Sequence, residues 1–522
     1  MEAKRMEINA LSGKNLGQIA DYAYQLWKVQ PMRKFVPVFL LNGCRLSMIV
    51  FARDGCHRVE LGSLFRQRPD EGLNADMVVA NTLSILWFLI IQPPDKFGHI
   101  ADVSVGASLF IFSGTVADAA VQAVDVLQST EIVNEVSYRD VEIKERIDRD
   151  IQIIGRLCHV YRVTYGDKRA ILKLSWAKPD KFPEGAVYET LEQSAMKGIP
   201  AVYSSGVLCK EFSGYRLEYL LLEDCGETLW DIIKKLASKK IRHEWVYGII
   251  PKVIKQVLCH LLQAYSAGVM HRDISSGNIS IKGDDVFIID WGCSKLLIGD
   301  SRDKDNRYER LAKKWGFELE GVVDKENARD PFTGTHEYIS IRVLSGSAER
   351  NIFDDIESLF YVILHLLQCA KEEKVTDFLG TRCMPNNVAA LMKVAFMCSR
   401  NLALKRNGIE NCPNGLLEIL NQMYEMLFIV DGVNVSDQLL DGVPEMRKLN
   451  YPLLRPIVGK DTFDAMFPPN ISESPDGMEP SSIAALSAFS QLECNETSRP
   501  SAKRKAEDEA DADVDAYCRK KI

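Results

Sequence analysis

His271-Arg272-Asp273-Ile274-Ser275-Ser276-Gly277-Asn278 decides how the rest of the chain is read. It fits H-R-D-x-x-x-x-N. After a short apolar run comes Asp290-Trp291-Gly292, a D-F-G pattern with Trp in place of Phe. These residue types suit phosphoryl transfer, which needs a carboxylate to orient and deprotonate a hydroxyl, and oxygen ligands for a divalent cation. Asp273 is the candidate for the first role, Asn278 and Asp290 for the second. Asn278 stands five positions after Asp273, one loop's width, so both side chains can face one phosphate. Phe287-Ile288-Ile289 reads as a buried strand that delivers Asp290 from the opposite side. H-R-D alone is a weak signal. With Asn at the fifth position and D-W-G twelve residues beyond that Asn, it is a strong one.

The bulk properties bound the answer. A chain of 522 residues exceeds what one core usually holds, so two or three domains are expected. With 46% hydrophobic and 26% charged residues the composition is that of a soluble globular protein. A net charge of −8 argues against a broad nucleic-acid-binding surface. The 13 cysteines are scattered, with no CxxC and no Cys/His metal spacing, which points to a reducing, intracellular setting without structural zinc. The N-terminus has no signal-peptide core. The apolar run Leu83 to Ile91 is too short to span a bilayer and stops at Pro93-Pro94, so no membrane association is expected and a buried helix over 75–91 is.

In chain order, Leu16 to Gln30 has the apolar spacing of an amphipathic helix ended by Pro31. Two apolar β-branched runs around Asn42-Gly43 predict a hairpin, and a further short strand is expected near Arg58 to Leu61. Residues 151–155 and 160–164 read as paired strands. Ala170-Ile171-Leu172-Lys173 is similar to the Val-Ala-Ile-Lys strand of protein kinases, whose Lys holds nucleotide phosphates. The helix that follows, over about 183–197, should carry a Glu to pair with Lys173. Of Glu184, Glu189 and Glu192, the distance to Pro200 favours Glu189. Tyr219 to Leu222, running into Glu223-Asp224-Cys225-Gly226, is similar to a kinase hinge: the backbone of Glu223 and Cys225 would meet adenine, with Leu222 as gatekeeper. Helices are expected from Thr228 to Lys234 and from Val246 to Ala267. Ser301 to Asp330 is dense in charge and reads as a mobile insertion, rejoined at Gly334-Thr335. Thr335 should hold its hydroxyl against Asp273, and Asp355 should hold the backbone of the H-R-D loop. From Pro468 the composition predicts disorder, with two basic clusters around Lys503-Arg504-Lys505 and Arg519-Lys520-Lys521 that would fit a nuclear-import signal or a solvated tail equally.

With these residues laid out, the chain resembles the fungal-type protein kinase family. The stretches that carry the likeness are 29–36, 51–55, Leu172-Lys173-Leu174-Ser175-Trp176, Ile274-Ser275 after H-R-D, Thr333-Gly334-Thr335 and Asp354-Asp355-Ile356-Glu357-Ser358. The resemblance implies an α+β, bilobal protein kinase-like fold with an N-terminal α+β extension and a disordered C-terminal tail. The expected division is 1–130 for the extension, 131–226 for the small lobe and hinge, 227–467 for the large lobe with its insertion at about 300–330, and 468–522 for the tail. ATP and Mg²⁺ are the implied cofactors. Catalytic roles fall on Asp273, Lys173, Glu189 and Arg272, and nucleotide contacts on Gly155, Val160, Lys173, Leu222, Glu223, Cys225, Asn278 and Asp290. Arg272 has a guanidinium suited to a bidentate anion such as a phosphate on the activation segment, with Thr333 the best-placed acceptor.

Three positions depart from the usual kinase pattern. Only Gly155 of the phosphate-binding glycines is present, with Ile153 and Cys158 at the other two places. Ser275 stands where serine/threonine kinases carry Lys. Ser340-Ile341-Arg342 replaces Ala-Pro-Glu, so Arg342 cannot make the usual ion pair and something else must fix that segment. The leading expectation is an ATP-dependent protein kinase acting on Ser or Thr of an unidentified protein. The alternatives are a pseudokinase scaffold with weak nucleotide binding, which the poor glycine loop motivates, and a small-molecule phosphotransferase, against which Arg272 and the long segment around Gly334-Thr335 argue.

Overall fold

The computed structural model describes residues 2–4, 13–29, 33–42, 45–52, 54–63, 84, 103–105, 110–112, 141–147, 158–178, 181–212, 215–297, 302–315, 333–346, 350–397, 413–430, 433–434 and 457–458. Gly155, nearly all of the helix expected over 75–91, and the tail from 468 lie outside the described residues.

The N-terminal unit is a four-stranded sheet, β1 (Glu2–Lys4), β2 (Val36–Asn42), β3 (Arg45–Ala52) and β4 (Gly55–Ser63), in that order, with helix α1 (Gly13–Val29) against it. The hairpin around Asn42-Gly43 forms as its turn residues predict, with Asn42 opposite Arg45. Ile19, Ala23 and Trp27, one helical turn apart, form the buried stripe of α1 and pack on Val36, Leu40, Ile49 and Phe51. The Trp27 indole N–H donates to the Arg33 carbonyl at 3.1 Å, which ties the helix to the start of β2. The parallel strand β1 has no signal in the sequence. Two short strands, β5 (Val103–Val105) and β6 (Phe110–Phe112), pair with each other.

The β-rich lobe is a five-stranded antiparallel sheet in the order β10 (Val202–Phe212), β11 (Tyr215–Glu223), β9 (Lys168–Ala177), β8 (Cys158–Tyr165), β7 (Val141–Ile147). The partner of β8 is therefore 141–147, a correction to the pairing expected with 151–155. Alternation sorts the side chains. Tyr161, Val163, Leu172, Leu174, Leu217 and Leu221 cluster on one face. Val160, Lys173 and Leu220 lie directly across from one another in register, so they share the other face, with Leu222 and Ile171 forming the next row. Helix α2 (Glu184–Gln193) packs against this second face through Ala186, Val187, Tyr188 and Leu191.

The helical lobe is built on two long helices, α4 (His243–Ser266) and α7 (Ile352–Glu372), preceded by α3 (Leu229–Ala237) and joined by α8 (Asn386–Met397) and α9 (Asn414–Phe428). Nearly every residue of α7 is buried, so it is the axis of the core. Thr228 and Asp231 form a reciprocal capping box that starts α3. Removing it with Thr228→Ala is expected to cost about 1 kcal/mol in urea unfolding.

The segment after Asp290 holds a further correction. Part of the stretch read as a mobile insertion is helix α5 (Arg302–Trp315). Leu311 and Ala312 are buried and Leu311 joins the main core. This short apolar stripe at the end of a charged helix is what composition alone conceals.

Candidate active site

The His271–Asn278 loop lies between β13 (Val269–Met270) and the hairpin β14 (Ile279–Lys282)–β15 (Asp285–Ile288). Asp355, at the start of α7, accepts from the backbone N–H groups of His271 at 3.0 Å and Arg272 at 2.9 Å. Arg350 donates to the Arg272 carbonyl at 2.8 Å. Arg272 is thus held at both ends of its backbone in a left-handed conformation, φ 69°, which residues other than glycine rarely adopt. His271 bridges the two motifs. Its Nε2 faces the Ile289 carbonyl at 3.1 Å and its Nδ1 accepts from the Asp273 N–H at 3.2 Å. That pattern needs the neutral ring, and burial accordingly lowers the His271 pKa. The His271 ring also meets Trp291 edge-on at 4.6 Å, and the Trp291 indole N–H bonds the Ile288 carbonyl, so Trp fills the Phe position and satisfies its own donor.

Both oxygens of Asp273 are engaged. Oδ1 accepts from the Thr335 backbone N–H at 2.7 Å and the Thr335 hydroxyl at 2.8 Å, and Oδ2 accepts from the Asn278 amide at 3.1 Å. Gly334 permits this: with φ 117°, it would place a Cβ 2.7 Å from the Arg272 carbonyl oxygen, so no other residue lets Thr335 come so close. Burial, and then the nearby charge of Asp290, raise the Asp273 pKa; the bonds from Thr335 and Asn278 oppose the rise.

Lys173 Nζ sits 2.6 Å from Asp290 Oδ1 and 2.6 Å from Glu184 Oε2, with both Lys173 and Glu184 buried. The Lys partner is therefore Glu184, a correction to the expectation of Glu189. Glu184 is the first residue of α2 and lies on the face of Tyr188 and Leu191, turned to the sheet. Glu189 is on another face and accepts from Lys314 and Trp315. The signal that separates them is helical phase, since only Glu184 continues the apolar stripe. Its backbone N–H in turn bonds Glu218 on β11, itself paired with Arg216.

The remaining candidates fall around this centre. Val160 stands across from Lys173 on β8. Leu222 is buried at the end of β11. The Glu223 N–H bonds the Ala201 carbonyl and the Cys225 carbonyl accepts from Ser280 at 2.7 Å. Burial pushes the Cys225 thiol well above its usual range, which makes it a poor nucleophile. Thr333 receives a bond from Arg350 on its carbonyl.

A family model described as fungal protein kinase matches residues 1–214 and 244–367. The chain belongs to the fungal protein kinase family. Among curated proteins, a putative serine/threonine-protein kinase of Acanthamoeba polyphaga mimivirus is 43% identical over 81 residues, 16% of this chain and 14% of its own length. A probable serine/threonine-protein kinase of Encephalitozoon cuniculi is 44% identical over 43 residues, 8% of each. The chain thus spans less than a sixth of the length of these curated relatives. The kinase PK-1 of Cydia pomonella granulovirus is 14% identical in sequence and aligns with a TM-score of 0.37, covering 62% of this chain and 97% of its own. Outside the motif residues the family member carries one device that the sequence did not reveal. Arg342, at the Ala-Pro-Glu position, pairs with Asp354 at 2.6 Å, and Asp354 also accepts from Ser340 at 2.6 Å. Among the described residues no helix is long and apolar enough to cross a membrane.

Proposed function

We propose that the chain is an active ATP-dependent protein kinase that transfers a phosphoryl group to a serine or threonine hydroxyl of a protein, with Asp273 as the base. The observation that carries this reading is the convergence of Asp273, fixed by Thr335 and Asn278, with the buried Lys173–Glu184 pair and the half-buried Asp290. The donor chemistry fits the cofactors. Asn278 spends its amide nitrogen on the Asp273 carbonyl at 2.8 Å and on Oδ2, which turns its amide oxygen away from Asp273. An amide oxygen and one carboxylate are the hard ligands that Mg²⁺ takes when phosphates complete its shell. Bound Mg²⁺–ATP would supply the transferable group and neutralise its charge. Lys173 would hold the phosphates, Val160 and Leu222 would enclose the base, and the backbone of 223–225 would meet its edge.

The chain's own residues then act simply. Thr335 and Asn278 fix the Asp273 carboxylate so that it orients an incoming hydroxyl and accepts its proton. A raised pKa makes Asp273 a better proton acceptor than a solvated Asp. Glu184 keeps Lys173 charged and directed. Asp290→Ala is expected to weaken binding of Mg²⁺–ATP at least tenfold while metal-free nucleotide binding falls much less. Calorimetry with and without Mg²⁺ checks it, and equal losses would remove the metal role. Mg²⁺-dependent autophosphorylation of the purified chain tests the reading as a whole; its absence would favour a nucleotide-binding scaffold, for which Cys158 in a glycine position is the motivating feature.

A further inference from the structure

Helix α2 presents two adjoining faces. Glu184 and Tyr188, one turn apart, look toward Lys173. Gly185 and Glu189, also one turn apart, lie about 100° round the helix. On that second face sits Trp315, the last residue of α5. A Cβ on Gly185 would fall 2.3 Å from Cη2 and 2.8 Å from Cζ2 of Trp315, so the indole rests on bare backbone directly beside Glu184. Its Nε1–H donates to Glu189 Oε2 at 3.3 Å, and Lys314 Nζ lies 2.9 Å from the same oxygen. One turn back, Leu311 is only 3% exposed and belongs to the main core, which anchors the helix that carries the indole.

The chain connectivity gives this contact its meaning. Lys173 is clasped between Glu184 and Asp290. Asp290 and α5 lie in the same segment, α5 beginning at Arg302. One segment therefore delivers Asp290 to Lys173 from one side and Trp315 to the helix bearing Glu184 from the other. We propose that Trp315 is a positioning residue for phosphoryl transfer: it fills the notch at Gly185, engages Glu189, and fixes α2 so that Glu184 directs Lys173. The helix bearing Glu184 is thereby held from within the chain. The inference rests on the kinase reading proposed above.

The experiment separates the two. Wild type and Asp273→Asn, assayed for Mg²⁺–ATP-dependent autophosphorylation, decide whether the chain is a kinase at all; an inactive wild type or a fully active Asp273→Asn would remove that reading and the role of Trp315 with it. With that control passed, Trp315→Ala is expected to lower kcat about tenfold or more with its thermal midpoint close to wild type, since misplacement by an ångström can cost about a hundredfold. Trp315→Phe should recover most of the rate, because the ring still fills the notch. In a Glu184→Gln background, which keeps an acceptor for Lys173 and a measurable rate, Trp315→Ala should cost far less than in wild type. A wild-type kcat in Trp315→Ala, or the same fractional loss in both backgrounds, would overturn the proposal. Should Trp315→Ala fail to fold, Glu189→Ala supplies the same comparison, because that side chain is 25% exposed and its removal leaves the core intact.

Discussion

Asp273→Asn is expected to cut turnover about 10²–10⁴-fold while the protein stays folded. The substitution preserves shape and one acceptor. An amide oxygen can still take the two bonds from Thr335 at 2.7 and 2.8 Å, whereas the new amide nitrogen would face the Asn278 amide and forfeit that 3.1 Å bond. What disappears is the basic carboxylate. Stability should move the other way. Burial, with the charge of Asp290, raises the Asp273 pKa in the fold. An acid with a raised folded pKa favours the fold below its unfolded pKa, and that contribution is lost as pH rises through the folded value. At neutral pH its charge is therefore a cost that Asn removes, so the thermal midpoint should hold or rise. The same shift places the acid limb of the pH–rate profile above the ordinary Asp range. Near-wild-type turnover in the purified variant would end the assignment of Asp273 as base.

What the sequence made legible, and what it did not, follows from the range of each interaction. The loop His271–Asn278, Asp290, Thr335 and Asp355 stand in contiguous motifs whose spacing is the chemistry, and the structure gathers them around one point. Lys173 sits on a strand whose apolar run is readable. Its partner does not follow from distance along the chain to Pro200, which points to Glu189; helical phase places Glu184 on the buried stripe with Tyr188 and Leu191. Strand β7 hides because Val141-Glu142-Ile143-Lys144-Glu145-Arg146-Ile147 is mostly charged and a register shift between Ile143 and Glu145 breaks its alternation. Helix α5 hides for a related reason: its buried side is Leu311 and Ala312, a small stripe among charges. In each case the deciding contact is tertiary, and local pattern carries only half of it.

The charge-reversed pair at the end of the activation segment is the extreme of this, and it leads to the second large effect. Arg342 and Asp354 are both buried, with 9% and 6% side-chain exposure, and approach to 2.6 Å. Asp354 is saturated. One oxygen takes Ser340 Oγ; the other takes Arg342 and the Asn351 N–H at 2.8 Å, which also starts α7. Asp354→Ala removes the acceptor of three buried donors at once and leaves a buried guanidinium facing no carboxylate there. Breaking such a pair from one side costs about 3–5 kcal/mol, so a large fall in the urea midpoint is expected. Activity should fall with it, because Ser340 lies five residues beyond Thr335 and its slackening loosens the Asp273 contact. A double-mutant cycle isolates the pair: Arg342→Met should cost much less in the Asp354→Ala background than in wild type. Independent anchors remain, since Glu357 accepts from the Ile341 N–H at 2.7 Å and Lys393 bonds the Ile339 carbonyl. If Asp354→Ala costs less than about 1 kcal/mol, the value of an exposed pair, then Glu357 and Lys393 hold the segment and the reversed pair does not replace the ion pair that the Ala-Pro-Glu motif normally makes.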